Sequence, residues 1–221
     1  MKDETSRHME HIYSTMAESE IPWNRAEPPE DLVGLVQSGK ITPCRTLDIG
    51  CGTGNYSLYL ASQGFEVTGL DVSESAIRTA RAKAAQKGAD ITFAVADMRG
   101  DVSHVAGGFE FALEWMIMHH ILPDERQGYL KNLLALLSDG ALYLSTSFSA
   151  EDPNFGDPPK GNWRRSPMGP MVYCSYLDEL EALFSPAFDL LEKGVVDIPG
   201  KMGNNRVNRL LMRKRLGEEC D

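Results

Sequence analysis

Three glycines and two acids are the residues of this sequence whose types and spacing could do chemistry. Gly50, Gly52 and Gly54 alternate through Asp48-Ile49-Gly50-Cys51-Gly52-Thr53-Gly54-Asn55, and a second acid, Asp71, lies in the later stretch Gly69-Leu70-Asp71-Val72-Ser73. Glycine lets a chain turn tightly and lets a ligand approach main-chain N–H groups that a Cβ would shield. An acid at the end of the next strand can accept both hydroxyls of a ribose, as in dinucleotide sites. The pattern is therefore one for holding a nucleoside. Spacing narrows the choice, because the dinucleotide fingerprint G-x-G-x-x-G places its third glycine where this chain has Asn55. Asp48, two residues before the first glycine, would add negative charge beside a pyrophosphate. It suits a ligand with a positive end, such as the ammonium of an amino acid.

These residues converge only if neighbouring strands carry them, and the apolar pattern supplies the strands. Strands are expected over 45–49, 66–71, 91–96, 109–113 and 141–147. Helices alternate with them: one over 55–63 stopped by Gly64, one capped by Ser73 and stopped by Gly88, and one from Asp124 with Leu130, Leu133, Leu134 and Leu137 inward and Gly140 at its end. A helix over residues 1 to about 20 with Met9, Ile12, Tyr13 and Met16 on one side precedes them, either covering the sheet edge or acting as a lid. Pro28-Pro29 then opens another, with Leu32, Val33, Leu35 and Val36 on its apolar side. Such alternation implies a parallel sheet with helices on both faces and right-handed crossovers. Ligands bind beyond the C-terminal ends of such strands, where every segment named above lies.

The glycine segment resembles motif I of the class I S-adenosylmethionine-dependent methyltransferases. Three further stretches match in order: Asp71 the ribose acid, Val95-Ala96-Asp97-Met98 the segment after the third strand, and Phe109 to Ile121 the fourth strand with the "l-H-H-i" opening of the next helix. The resemblance spans roughly residues 30 to 150, with Glu110 where the family usually carries Asp. It implies a single-domain α/β fold: a Rossmann-like, seven-stranded, mostly parallel sheet with an antiparallel C-terminal strand, the last strand inserted beside the fifth. It also implies that Gly50, Cys51, Gly52 and Gly54 meet the methionine end of S-adenosylmethionine with Asp48 nearby. Asp71 would bind the ribose, Val72 the adenine face, Asp97 and Met98 the adenine edge, and Glu114 the methionine ammonium. The product would be S-adenosylhomocysteine. The Pro22-Trp23 segment resembles a narrower group, the thiopurine, thiol and halide methyltransferases.

Beyond strand five, Ser149 to Gly169 is rich in proline and glycine and is expected to lack regular structure, with 149–175 forming a substrate flap or, alternatively, a plain surface loop. Residues 1–40 then form a helical cap on a domain comprising 41–221. A short helix from Leu177 and two strands, over 188–196 and 206–213, complete the chain. Trp23, Trp115 and Trp163 are candidate walls of a largely aromatic acceptor pocket, and Trp23 could stack near the sulfonium, since an indole face attracts a cation. His119, His120 and Tyr173 are the candidates for a general base, needed only if the acceptor arrives protonated; packing residues are the alternative reading of all three.

Composition excludes several classes. Lys and Arg total 22 against 32 Asp and Glu, a net charge of -10 that opposes nucleic-acid backbones. With 42% apolar residues and no apolar run of about 18, the chain reads as a soluble globule without a membrane span or leader, expected to be cytoplasmic and a monomer or homodimer. Cys44, Cys51, Cys174 and Cys220 are scattered, and the histidines show no ligand spacing, so no metal is expected. The expected activity is methyl transfer to a small-molecule acceptor. A non-catalytic S-adenosylmethionine-binding protein and an NAD-linked oxidoreductase are the alternatives.

Overall fold

Alternate residues of each central strand enter opposite cores, which is why the sheet needs helices on both faces. The computed structural model describes residues 4–155, 162–166, 168–200 and 203–217. In chain order the elements are α1 (Glu4–Thr15), α2 (Glu30–Gln37), β1 (Arg45–Ile49), α3 (Asn55–Ser62), β2 (Glu66–Asp71), α4 (Glu74–Lys87), β3 (Thr92–Val95), β4 (Phe109–Trp115), α5 (Arg126–Leu136), β5 (Leu137–Phe148), β6 (Trp163–Arg165), β7 (Met171–Tyr173), α6 (Leu177–Phe184), β8 (Phe188–Gly200) and β9 (Gly203–Lys214). The main sheet runs β3-β2-β1-β4-β5-β9-β8. β1 to β5 are parallel, and β9 lies antiparallel between β5 and β8. The seven-stranded sheet with an antiparallel last strand is as expected.

On one face Ala112, Tyr143, Leu210 and Met212 pack with Tyr129 and Leu133 of α5 and Leu180 and Phe184 of α6. On the other, Phe111, Leu113, Leu144 and Leu211 meet Leu32 and Leu35 of α2 and Leu60 of α3. Capping agrees with the sequence: Ser73 Oγ accepts the Ala76 N–H at 3.1 Å, and Gly88 ends α4 in the left-handed region.

Three expectations need correction. α5 ends at Leu136, so that Leu137 is the first residue of β5, paired with Phe109; the intervening residues are taken up in an irregularity before Phe111 pairs with Leu142, where Gly140 adopts φ +77°. The "H-H" pair does not open a helix. It sits in a 3-10 turn (Met118–His120), and α5 starts only after Pro123, a residue that disfavours helical backbone before it. Finally, the proline-rich stretch is partly regular, because Arg164 pairs with Val172 across the hairpin β6–β7 and Trp163 packs edge-on against Tyr173 at 5.4 Å. Within that stretch 156–161 and 167 lie outside the described residues, as does Cys220. Among the described residues no helix is long and apolar enough to cross a membrane.

Candidate active site

The floor of the cleft is the turn between β1 and α3. Gly50 and Cys51 both donate their N–H to the Leu70 carbonyl (2.7 and 2.9 Å), and the Gly52 N–H donates to Asp71 Oδ2 (2.9 Å). These bonds tie the turn to the end of β2 and require positive φ at Gly50 (+71°) and Gly52 (+54°). A Cβ on Gly50 would collide with Ile117, and one on Gly52 would stand 2.8 Å from the Tyr13 hydroxyl. Gly54 differs: a Cβ there would meet Phe93 and Ala80, which lets α3 sit close to the sheet and α4.

The acids have three fates. Asp48 is buried and accepts from Ser57 Oγ at 2.6 Å; burial pushes its carboxyl up to about 6, with Asp71 adding to the rise. Asp71 accepts the Ser73 N–H on Oδ1 and the Gly52 N–H on Oδ2, and burial raises it to about 6 as well. An ionised carboxylate has about four lone-pair sites, so each Asp71 oxygen can still accept one bond from a diol. Asp97 is held by Arg99, whose Nε and main-chain N–H reach Oδ1 and whose Nη2 reaches Oδ2. Glu114 turns the other way. It is fully buried, accepts from the Ile117 and Met118 N–H groups on Oε1 and from Ser145 and Tyr143 hydroxyls on Oε2, and is raised by burial to about 7.

The N-terminal segment borders the cleft through Met9, Tyr13, Trp23 and Arg25. Glu10 on α1 accepts from Ser73 Oγ, the Ser75 N–H and Ser75 Oγ (2.7, 3.1 and 2.6 Å), locking α1 onto the start of α4. Trp23 Nε1 donates to Tyr13 Oη at 2.9 Å, and Asn24 Oδ1 accepts from Thr53 and Asn55. Over the ends of β4 and β5 the wall is Trp115, Met116, Ile117, His119, His120 and Phe148. Met116 adopts φ +65°, an unusual value for a residue with a side chain, and its N–H donates to the Thr146 carbonyl. Phe148 donates its main-chain N–H to His119 Nδ1 at 3.5 Å, and burial drives both histidines toward the neutral form, His120 to about 4. The cleft measures about 950 Å³, near the top of the roughly 300–1,000 Å³ range of small-molecule sites.

Comparison with known proteins gives the family of the chain. A family model described as a methyltransferase domain matches residues 46–140. An uncharacterized methyltransferase of Schizosaccharomyces pombe is 31% identical over 113 residues, covering 51% of this chain and 77% of that protein. The chain belongs to the class I S-adenosylmethionine-dependent methyltransferases. The 2-heptyl-1-hydroxyquinolin-4(1H)-one methyltransferase of Mycobacteroides abscessus is 31% identical over 128 residues, 58% of this chain; the chain spans about half the length of that relative (56%). The fold is shared with the Burkholderia thailandensis 1,6-didemethyltoxoflavin-N1-methyltransferase, solved with bound 1,6-didemethyltoxoflavin and S-adenosylhomocysteine (TM-score 0.74, 18% identity, 96% of this chain and 88% of that one).

Within the cleft, Asp48, Gly50, Cys51, Gly52, Asp71, Val72, Asp97 and Met98 come together with Trp23, Trp115, His119 and His120. Four candidates are not among the residues lining it. The Glu114 side chain is folded under β5 by its hydroxyl and amide donors; Gly54 serves packing; Tyr173 is held by Glu179 and Asn162 with Arg126 over its ring; and Trp163 lies on the exposed hairpin. Residues that sequence reasoning did not single out also line the cleft, notably Tyr13, Arg25, Met116 and Phe148. Tyr13 had one signal, its place on the apolar side of the first helix.

Proposed function

We propose that the protein transfers the methyl group of S-adenosylmethionine to a small apolar acceptor bound over the ends of β4 and β5. The observation that carries this reading is one cleft holding both halves: the glycine turn with Asp71 at one side, and an aromatic and thioether wall of Trp115, Met116 and Phe148 at the other. The glycine cradle fits the cofactor, since a Cβ at Gly52 would enter the space beside Tyr13 and Asp71 keeps acceptor capacity for the ribose. Asp97 and Met98 would border the adenine, and Val72 would pack on its face.

When bound, the cofactor supplies an electrophilic methyl on a sulfonium. The protein's part is alignment, because an in-line displacement needs nucleophile, carbon and sulfur collinear. The buried carboxylates of Asp48 and Asp71 give the floor a negative potential that favours a cationic ligand. Trp115 and Phe148 would exclude water from the acceptor. His119 would act as a hydrogen-bond donor rather than a base: its Nδ1 accepts a main-chain N–H, which puts the ring proton on Nε2. Residues 1–40 would serve as a cap, and 149–175, which contribute Ser166, Met168, Pro170 and Val172 to the lining, as a flap.

The test is incubation of the protein with isotopically labelled S-adenosylmethionine and a panel of small aromatic thiols, phenols and heterocyclic amines. Labelled small-molecule product together with S-adenosylhomocysteine supports the proposal. Label that enters only protein or RNA added in parallel overturns the small-molecule acceptor.

A further inference from the structure

Three main-chain N–H groups of the glycine turn are already engaged: Gly50 and Cys51 with the Leu70 carbonyl, Gly52 with Asp71. A ligand carboxylate arriving there must find donors elsewhere, and it arrives beside Asp48 and Asp71, whose charge opposes it. Of the three guanidinium groups that line the cleft, Arg99 and Arg209 are committed to Asp97 and Glu125 and to Asp31 and Glu192 respectively, and Arg25 donates to the Pro199 carbonyl.

Tyr13 supplies what the turn lacks. An indole N–H can only donate, so in the 2.9 Å contact with Trp23 the Tyr13 oxygen is the acceptor and its own hydrogen is left over. No described residue takes that hydrogen. The hydroxyl stands where a side chain on Gly52 would be, within the cleft and directly above the turn. Burial, then the Asp71 charge, hold the phenol protonated at any ordinary pH, so it is a permanent donor. Its position is set before any ligand binds, through the Glu10 bonds to Ser73 and Ser75.

We propose that Tyr13 is a binding residue for the carboxylate of the cofactor's amino-acid end, so that helix α1 is the element distinguishing an amino-acid-bearing nucleoside from a bare one. This rests on the methyltransferase reading. The ammonium and sulfonium face the carboxylates below, and the carboxylate faces the phenol above. The zwitterion is thereby oriented across the cleft.

Calorimetric titrations of the full chain with S-adenosylhomocysteine, its methyl ester and 5′-methylthioadenosine test this, using the wild type, Tyr13→Phe and Arg25→Gln. Removing one hydrogen bond to a charged group is expected to weaken S-adenosylhomocysteine about tenfold or more in Tyr13→Phe. Methylthioadenosine, which has no amino-acid arm, should change less than about twofold, and its binding shows that the variant is folded. In the wild type the ester should bind more weakly than the acid, and Tyr13→Phe should remove that difference. The proposal is overturned if Tyr13→Phe weakens all three ligands alike, or if the acid–ester difference survives Tyr13→Phe and vanishes in Arg25→Gln. A wild type that binds none of the three refutes the methyltransferase reading itself.

Discussion

Glu114 is the buried acid whose replacement gives the most discriminating result. At its folded-state pKa of about 7, against 4.5 when unperturbed, the native protein holds this proton more tightly than the unfolded chain does. The associated stability is complete below about pH 4.5 and is lost as pH rises through about 7. Each pKa unit is worth about 1.4 kcal/mol, so well above pH 7 the ionised group costs of order 3 kcal/mol. In Glu114→Gln the amide oxygen can accept the Ile117 and Met118 N–H groups, and the amide nitrogen can donate to the Ser145 and Tyr143 oxygens, without a buried charge. Urea or thermal unfolding of both proteins from about pH 5 to about pH 8.5 measures the difference. The Gln variant should match the wild type at the acid end and exceed it by up to about 3 kcal/mol at the alkaline end, roughly 6–12 °C in Tm for a domain of this size. Asp48 and Asp71 titrate in both proteins, so the difference isolates Glu114. Glu114→Ala should instead lose stability throughout, because two main-chain amides and the Ser145 hydroxyl lose their acceptor, at about 1–3 kcal/mol each for the amides. A pH-independent deficit in Glu114→Gln would refute the reasoning.

Three other outcomes follow from the same geometry. Gly52→Ala places a methyl against the Tyr13 hydroxyl on a backbone at φ +54°; it should destabilise the protein by about 1–2 kcal/mol and weaken S-adenosylhomocysteine, both readable from thermal shift with and without ligand. Because Asp48 and Asp71 are raised to about 6, they become neutral below that pH and hold a cation less well; affinity for S-adenosylmethionine should fall from about pH 8 to about pH 5 by a larger factor than that for its neutral-sulfur product, as calorimetry at the two pH values would show. Trp163→Ala should leave affinity for S-adenosylhomocysteine within about twofold, since the indole is on the β6–β7 hairpin against Tyr173 and outside the cleft; a larger loss would place it in the site.

The parallel sheet and the glycine turn were legible in the sequence because their signals are local. Glycine stops at Gly64 and Gly88, the Ser73 cap and the acids at strand ends each act within a few residues. What escaped was set by contacts distant in sequence. Glu114 reads as a strand-end charge facing the ligand until Tyr143 and Ser145 of β5 draw it under the sheet. Tyr173 and Trp163 lie within the expected flap but face each other across a hairpin of three-residue strands, too short to show a period. Tyr13 looked like one more apolar residue of an amphipathic helix. Its role depends on Glu10 docking that helix against Ser73 and Ser75, more than sixty residues away.

Titration of S-adenosylhomocysteine into the wild type and Asp71→Ala measures most directly whether the strand-end acid and glycine turn form a nucleoside site. Saturable binding to the wild type, weakened about a hundredfold by loss of two bonds from the ribose to a charged acceptor, is the expected result. Equal affinity in the two proteins, or no heat with the wild type, would contradict it.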